Sequence, residues 1–341
     1  MAASPVLTFT DRGIYCPAGD FHIDPWRPVD RAIVTHAHSD HARPGMARHV
    51  ATPRTVAAMR HRLGPIEAHA LPYGEALTIG GARVSLHPAG HVPGSAQVRV
   101  EVGGEVWVVS GDYKTTDDGL SEPFEPVACH AFISECTFGL PVFRWRPEAE
   151  IRAEIAEWWA QCRAGGRTAV IGAYSLGKAQ RVLAALDPGA GPILTHGAVE
   201  EMCRVLRETG VPLPPTTRVT PEITRKSHPG AIVVAPPSAL GSPWARRFGP
   251  ASQAFASGWM RLRGIRRRRA VDRGFVMSDH ADWDGLNAAI GATGAERIFV
   301  THGYTQPFRR WLETRGYDAG IVTTDWQGEE TGAETTTEDG A

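Results

Sequence analysis

Nine residues, Ile33-Val34-Thr35-His36-Ala37-His38-Ser39-Asp40-His41, carry the densest chemistry in this chain. An apolar, β-branched run reads as a buried strand, and three imidazoles and a carboxylate follow at once. Neutral imidazole and carboxylate are the usual ligands of zinc and manganese-like ions. Alternate residues of an extended segment point to the same side, so His36, His38 and Asp40 can converge. His41 then points elsewhere, and one short loop could feed two metal ions.

The same plan recurs downstream. His91 sits in the Gly/Pro-rich loop Pro88-Ala89-Gly90-His91-Val92-Pro93-Gly94, as an exposed ligand would. Asp112 follows an apolar strand ending at Val109, with the permissive Gly111 before it. Alone it would read as a turn residue, and within the set it is placed to bridge metals. Glu135 closes the apolar run Ala131-Phe132-Ile133-Ser134, His280 and Asp282 follow Phe275-Val276-Met277, and His302 follows Arg297 to Thr301. Strand ends on one edge of a sheet are where ligands converge in layered α/β folds. Asp24 reads equally as an acceptor supporting the metal loop or as a turn aspartate before Pro25, and His196 as a cleft residue or a turn histidine.

The elements that must position these residues are legible as periodicity. Val6-Leu7-Thr8-Phe9 and Gly13 to Cys16 read as strands, and Pro53 to Arg60 as a helix started by Thr52 or Pro53. Leu77 to Ile79 and Arg83 to His87 alternate as a hairpin across Gly80-Gly81, and Gln97 to Val102 with Glu105 to Val109 forms another. From about Pro141 the rhythm changes. Residues 147–162 form an amphipathic helix with Ile151, Ile155, Trp158 and Trp159 on one side. Strands at 168–171, 193–195, 231–234 and 252–257 then alternate with helices at 179–186 and 199–208, which implies a parallel sheet. Residues 328–341, acidic and rich in Thr and Gly, are expected to be a disordered tail.

Composition sets the outer bounds. The 341 residues are 42% hydrophobic and 21% charged, enough for two ordinary soluble domains. A net charge of −1 gives no global nucleic-acid signature, so a basic surface must come from local clustering. Only Lys114, Lys178 and Lys226 are lysines, and arginine forks suit bidentate phosphate contacts. The five cysteines are odd in number and form no C-x-x-C pair, which argues for reduced thiols in a cytoplasm. No signal peptide or membrane-spanning run is evident.

Two further stretches could hold phosphate. Gly172-x-x-x-x-Gly177-Lys178-Ala179 nearly matches a P-loop, but Ala179 stands where a magnesium-binding Ser or Thr is needed. A contact from the Ser175-Leu176-Gly177-Lys178 loop to a substrate phosphate at a helix N-terminus is the better reading. Arg261, Arg263 and Arg266 to Arg269 form a dense basic cluster that reads either as a track for a nucleic-acid backbone or as a solvated surface.

Taken together, His-x-His-x-Asp-His, the later Gly-His and Gly-Asp, and a terminal strand-His-Gly resemble the metallo-β-lactamase fold. Ser-Glu-Cys-Thr-Phe-Gly at 134–139, Ser-Asp-His-Ala-Asp at 278–282 and Thr-His-Gly at 301–303 are similar to the extra motifs of the β-CASP nucleases. The resemblance spans roughly residues 6 to 325. It implies an α/β fold: a metallo-β-lactamase αββα sandwich at 1–140 and 272–327, with an inserted β-CASP α/β domain at 141–271. It further implies that His36, His38 and His91 hold one divalent ion, that Asp40, His41 and His302 hold the second, and that Asp112 bridges them. The ions would be zinc or manganese. Asp40, Glu135 and His280 would be the catalytic groups, with Glu135 beside His280 and His280 facing the leaving oxygen. Gly177-Lys178-Ala179-Gln180 resembles the family's Gly-basic-x-Gln loop, so Ser175, Gly177 and Lys178, with Arg261 and Arg263, would bind substrate phosphates.

The phrases at 172–180, 257–264 and 272–283 look like the branch of DNA exonucleases associated with a prokaryotic DNA ligase. That implies DNA as substrate, a ligase and helicase of one repair pathway as partners, and no membrane. The alternatives are an RNA-processing β-CASP ribonuclease and a catalytically silent repair scaffold. The chemistry suits such a ligand set. Two metals can lower the pKa of a bridging water and clamp a phosphodiester, and a histidine beside a carboxylate can protonate the departing sugar oxygen.

Overall fold

The computed structural model describes residues 5–269 and 271–323, so the tail expected at 328–341 lies outside the described residues. The chain is mixed α/β and divides into two compact units. One holds the chain up to Arg144 and resumes at His280, and the other runs Trp145–Asp279.

The first unit contains two sheets. Strands β1 (Thr8–Thr10), β2 (Gly13–Cys16), β3 (Phe21–Ile23), β4 (Arg31–Ile33), β5 (Arg48–Ala51) and β6 (Ala68–Ala70) lie side by side in chain order, antiparallel up to β3 and parallel beyond it. Helix α1 (Pro53–Leu63) links β5 to β6. Its first turn is set by Thr52, whose side chain accepts from Thr55 N, and by the pre-organised φ of Pro53. The second sheet begins with the antiparallel strands β7 (Ala76–Ile79), β8 (Ala82–Pro88), β9 (Ala96–Val102) and β10 (Glu105–Val109), and β11 (Ala131–Cys136) adds in parallel.

The inserted unit is built from α2 (Glu148–Ala164), β12 (Thr168–Gly172), α3 (Lys178–Ala184), β13 (Ile193–Thr195), α4 (Gly197–Glu208), β14 (Thr217–Arg218), β15 (Ile232–Ala235), β16 (Ala251–Ala256), α5 (Arg263–Arg268) and β17 (Arg273–Phe275). Its six strands run in the order β14-β13-β15-β12-β16-β17, every neighbouring pair parallel. Both faces are covered. Ala169 and Ile171 of β12 pack with Ile155, Trp158 and Trp159 of α2, while Val170 faces a second cluster with Leu194, Val233 and Phe248. Each of these large side chains contributes about 1.5–3 kcal/mol by leaving water, so α2 is held by its buried stripe more than by propensity.

The chain then closes the first unit with α6 (Trp283–Thr293), β18 (Arg297–Gly303), α7 (Thr305–Thr314) and β19 (Asp318–Ile321). β18 pairs in parallel with β11, and β19 with β18. The central strands are apolar on both sides. Trp107, Val109 and Ile133 share a core with Ile14, Ile33 and Val50 of the first sheet, whereas Val108, Phe132 and Val300 face Leu286, Ile290, Phe308 and Leu312.

The first strand, expected at Val6 to Phe9, is Thr8–Thr10, and two further strand ends near the site differ from the sequence reading. The strand expected through Thr35 stops at Ile33. Val34 N still donates to Val50 O (2.8 Å), but Thr35 N turns to the Asp24 carboxylate (2.8 Å). The strand expected at Phe275-Val276-Met277 is Arg273–Phe275, because its neighbour β16 ends at Ala256, opposite Phe275.

Candidate metal centre

His36 and His41 of the His36–His41 loop are held by hydrogen bonds from beneath it. Asp24, in a left-handed conformation (φ 43°), accepts from Thr35 N (2.8 Å) through Oδ1. Its Oδ2 accepts from Thr35 Oγ1 (2.6 Å) and from His41 Nδ1 (2.7 Å). A carboxylate can only accept, so His41 Nδ1 carries a proton, and Nε2 faces Asp112 (3.4 Å) and Asp40 (3.6 Å). Thr35 Oγ1 spends its own proton on Asp24 and accepts from His36 Nδ1 (3.1 Å), which turns the His36 Nε2 lone pair to His38 Nδ1 (3.1 Å). Of the two readings open for Asp24, the acceptor is the one found.

The His91 loop is held just as fully. Ser95 Oγ accepts from His91 N (3.1 Å) and Val92 N (3.2 Å), and Gly94 O accepts from Thr52 Oγ1 (2.6 Å) and Thr55 Oγ1 (2.8 Å). Gly94 N donates to Glu122, itself paired with Arg54. Gly111 (φ 57°) lets the Asp112 turn lie against Thr35, since a Cβ there would stand 2.6 Å from Thr35 Cβ. Gly303 (φ 72°) is as constrained, with Thr137 Cα 2.3 Å from where its Cβ would be, and it follows His302, also left-handed (φ 56°).

The ligand atoms converge into three groups: His36, His38, His91 and Asp112; Asp40, His41 and His302; and Asp112, Glu135 and His280. Within each, the atoms lie inside 4.8 Å of one another. His38 Nδ1 is 3.1 Å from both His36 Nε2 and His91 Nε2. A tetrahedral ion with metal–nitrogen distances of about 2.0–2.1 Å would space its ligand nitrogens by roughly 3.3 Å, so the imidazoles already stand near ligand separation. Asp112 reaches the first two groups. Its Oδ2 is 3.6 Å from His36 Nε2, 3.8 Å from His91 Nε2 and 3.4 Å from His41 Nε2, and its Oδ1 is 3.7 Å from His302 Nδ1.

Two buried atoms here, His41 Nε2 and Asp112 Oδ1, have no hydrogen-bond partner. Leaving buried polar groups unpaired costs about 1–3 kcal/mol each, and a bound cation would satisfy both. The residues therefore fit divalent metal. The electrostatics agree. Burial, helped by the charges of His41 and His91, holds His36 well below the usual imidazole range, in the neutral form a metal requires. Burial opposes ionisation of Asp112, but His41 and His280 outweigh it and keep the carboxyl well below its usual range. Burial pushes His41 down too, but Asp112, Asp40 and Asp24 more than reverse it and favour the charged ring, a positive charge that a cation would supply in its place.

Glu135 stands apart from the ligands despite its proximity. Its Oε1 accepts from Tyr113 N (3.2 Å) and His280 Nδ1 (2.7 Å), and its Oε2 accepts from Thr137 N (3.1 Å). Both oxygens are thus engaged, one of them by His280. Ala281 N donates to Tyr113 O (2.6 Å), tying the residue after His280 to the residue after Asp112. The His280 ring lies 4.6 Å from that of His91.

The expected phosphate contacts are placed differently. Lys178 is 1% exposed, and its ammonium meets Asp279 Oδ2 at 2.7 Å. Gly177 N donates to Gln180 Oε1 (2.7 Å), and Ser175 O accepts from Gln180 Nε2 (2.9 Å), so the polar groups at the start of α3 are turned to one another. Lys178 is thus withdrawn from an incoming phosphate. Arg261 and Arg263 are exposed, as are Arg266, Arg267 and Arg268, while Arg269 lies over the Phe255 ring at 4.4 Å. Sequence reasoning missed Thr35, Glu122 and Arg181. Their partners are 11 to 98 positions away, so no local signal marks them.

No family model matches the chain. A protein of Opitutus terrae described as a probable DNA ligase is 33% identical over 323 residues, covering 92% of this chain and 31% of that protein. A ribonuclease of Thermus thermophilus is 30% identical over 205 residues, covering 52% of this chain and 45% of its own length. The Cleavage and polyadenylation specificity factor subunit 3 of Dictyostelium discoideum is 32% identical over 127 residues, covering 34% of this chain and 15% of its own length. This chain thus spans less than half of each of these relatives. A crystal structure of a protein of unknown function from Enterococcus faecalis shares the fold, with a TM-score of 0.55 at 12% identity over 88% of this chain and 80% of that one. These relatives and the residues gathered above support a place in the metallo-β-lactamase-fold β-CASP nuclease family. Within that family its similarity extends both to a protein named for DNA ligation and to proteins named as ribonucleases.

Proposed function

We propose that the chain is a metal-dependent DNA exonuclease that hydrolyses phosphodiester bonds and works in repair beside a DNA ligase and helicase. The observation that carries this reading is the convergence of six ligand-type side chains around Asp112, with the His280–Glu135 pair adjoining them. In this reading His36, His38 and His91 hold one divalent ion, Asp40, His41 and His302 hold another, and Asp112 serves both. Zinc and manganese both suit such mixed imidazole and carboxylate ligation. Bound there, the ions supply an activated water nucleophile and neutralise the phosphodiester charge.

The protein's own groups do the rest. Asp24 and Thr35 hold His41 and His36 as lone-pair donors. Glu135 keeps His280 Nδ1 as its hydrogen-bond donor, and His280 Nε2 gives a proton to the leaving sugar oxygen. We read the first unit as the αββα sandwich and the inserted unit as the β-CASP domain, with Arg261, Arg263 and the Arg266–Arg268 run tracking the backbone.

DNA is favoured because the relative named as a probable DNA ligase matches 92% of this chain. The relatives named as ribonucleases favour a second reading, RNA processing. Digestion of end-labelled single- and double-stranded DNA and RNA, with either end phosphorylated and across several metals, tests both. Stepwise loss of nucleotides from DNA ends supports the exonuclease. Cleavage of RNA with DNA left intact supports the second reading and overturns the first. Among the described residues no helix is long and apolar enough to cross a membrane.

A further inference from the structure

We propose that Lys178 and Arg181 are positioning residues for His280, acting through Asp279. This inference rests on the reading of His280 as the proton donor. Lys178 Nζ meets Asp279 Oδ2 at 2.7 Å, and Arg181 Nη1 meets Asp279 Oδ1 at 2.6 Å, so each carboxylate oxygen is held by a different cation. Arg181 Nη1 also donates to Ser278 O, and Arg181 Nη2 meets Glu148 Oε2 at 2.7 Å. The Lys178, Arg181 and Asp279 side chains are only 2–3% exposed.

Such a cluster is a poor way to add stability. Removing charges from water costs about as much as their mutual attraction returns, and well-packed apolar residues often do better. What it gives instead is a fixed conformation. After Phe275 the chain leaves the sheet, so no strand ladder holds Ser278 and Asp279. The two cations pin this segment by side chain and by backbone carbonyl, and the next peptide bond leads to His280. His280 must in turn present Nδ1 to Glu135, a bond of 2.7 Å. Gln180 braces the other end of the clamp by tying Gly177 N and Ser175 O, which sets where Lys178 begins. The Gly-Lys-x-Gln loop thus reads as an inward brace.

The test is Lys178→Met in the full chain, which removes the charge and keeps the length. It is expected to lower kcat by about tenfold to a hundredfold, as small misplacements do, with KM and metal content near wild type. Amide exchange in the peptide spanning 275–283 is expected to rise. In a His280→Ala background the same substitution should change the residual kcat by less than about twofold, because coupled residues are not additive. A raised KM with unchanged kcat would return Lys178 to substrate binding and overturn the proposal. So would a loss of kcat that persists undiminished without His280, which marks a purely structural role. If Lys178→Met fails to fold, Glu148→Gln, at the outer end of the cluster, is read through the same cycle with a smaller loss expected. A wild-type protein that cleaves no nucleic acid defeats the proposed function. The exchange measurement still reads the clamp, and unchanged exchange at 275–283 overturns it.

Discussion

Two clusters of charge and imidazole in this chain look alike in sequence and differ in one physical respect. In the His36–His302 cage Asp24 and Thr35 hold His41 and His36 through Nδ1, and two buried atoms, His41 Nε2 and Asp112 Oδ1, have no hydrogen-bond partner. In the Lys178, Arg181, Asp279 and Glu148 cluster the charges are turned on one another at 2.6–2.7 Å. The first leaves an oxygen of its central carboxylate, Asp112, open to a ligand, and the second occupies both oxygens of Asp279. Residue types alone do not separate a binding site from an internal brace. The bonding state of the atoms does.

Substitutions in the cage should therefore act on metal, and those beside it on chemistry or on substrate. The largest effect is expected from Asp112→Ala, which should lower turnover by roughly a thousandfold or more and leave at most one ion bound, measured by kinetics and elemental analysis. His280→Ala should slow turnover by about a hundredfold to ten-thousandfold while the metal content stays that of wild type. Loss of metal in that variant would break the distinction between ligand and proton donor. Asp24→Asn, which faces His41 Nδ1 with an amide, should weaken metal affinity by about 10–100-fold at the His41 site and much less at the His36 site, read by titration with a competing chelator.

Stripping the metals should also lower the melting temperature. At a hundredfold excess over the dissociation constant, each ion stabilises by about 2.7 kcal/mol, which calorimetry with and without chelator would detect. The smallest change is expected from the doubly substituted Arg266→Gln/Arg268→Gln. Removing two phosphate contacts should flatten the salt dependence of nucleic-acid binding by a slope of about 1.8 and leave kcat near wild type.

Local physics made much of this legible from sequence. Thr52-Pro53 starts α1, Gly80-Gly81 turns the β7–β8 hairpin, and the Ile151, Ile155, Trp158, Trp159 stripe is buried in α2. Each of these signals lies within one turn or one period. The ligand-type residues at strand ends were visible for the same reason. What stayed hidden depends on partners distant in the chain. Lys178 looks like a phosphate ligand until Asp279, 101 positions on, is found to hold it. Asp24 could not be decided until His41, 17 positions on, supplied its donor. The strand expected through Thr35 fails because an Asp24 carboxylate competes for its N–H.

How many ions the cage takes decides the proposed chemistry. Anomalous diffraction from crystals of the metal-loaded protein should show two peaks about 3.5–4 Å apart, one beside His36, His38 and His91, the other beside Asp40, His41 and His302, with Asp112 touching both. A single peak under saturating zinc and saturating manganese alike, or peaks away from Asp112, would contradict it.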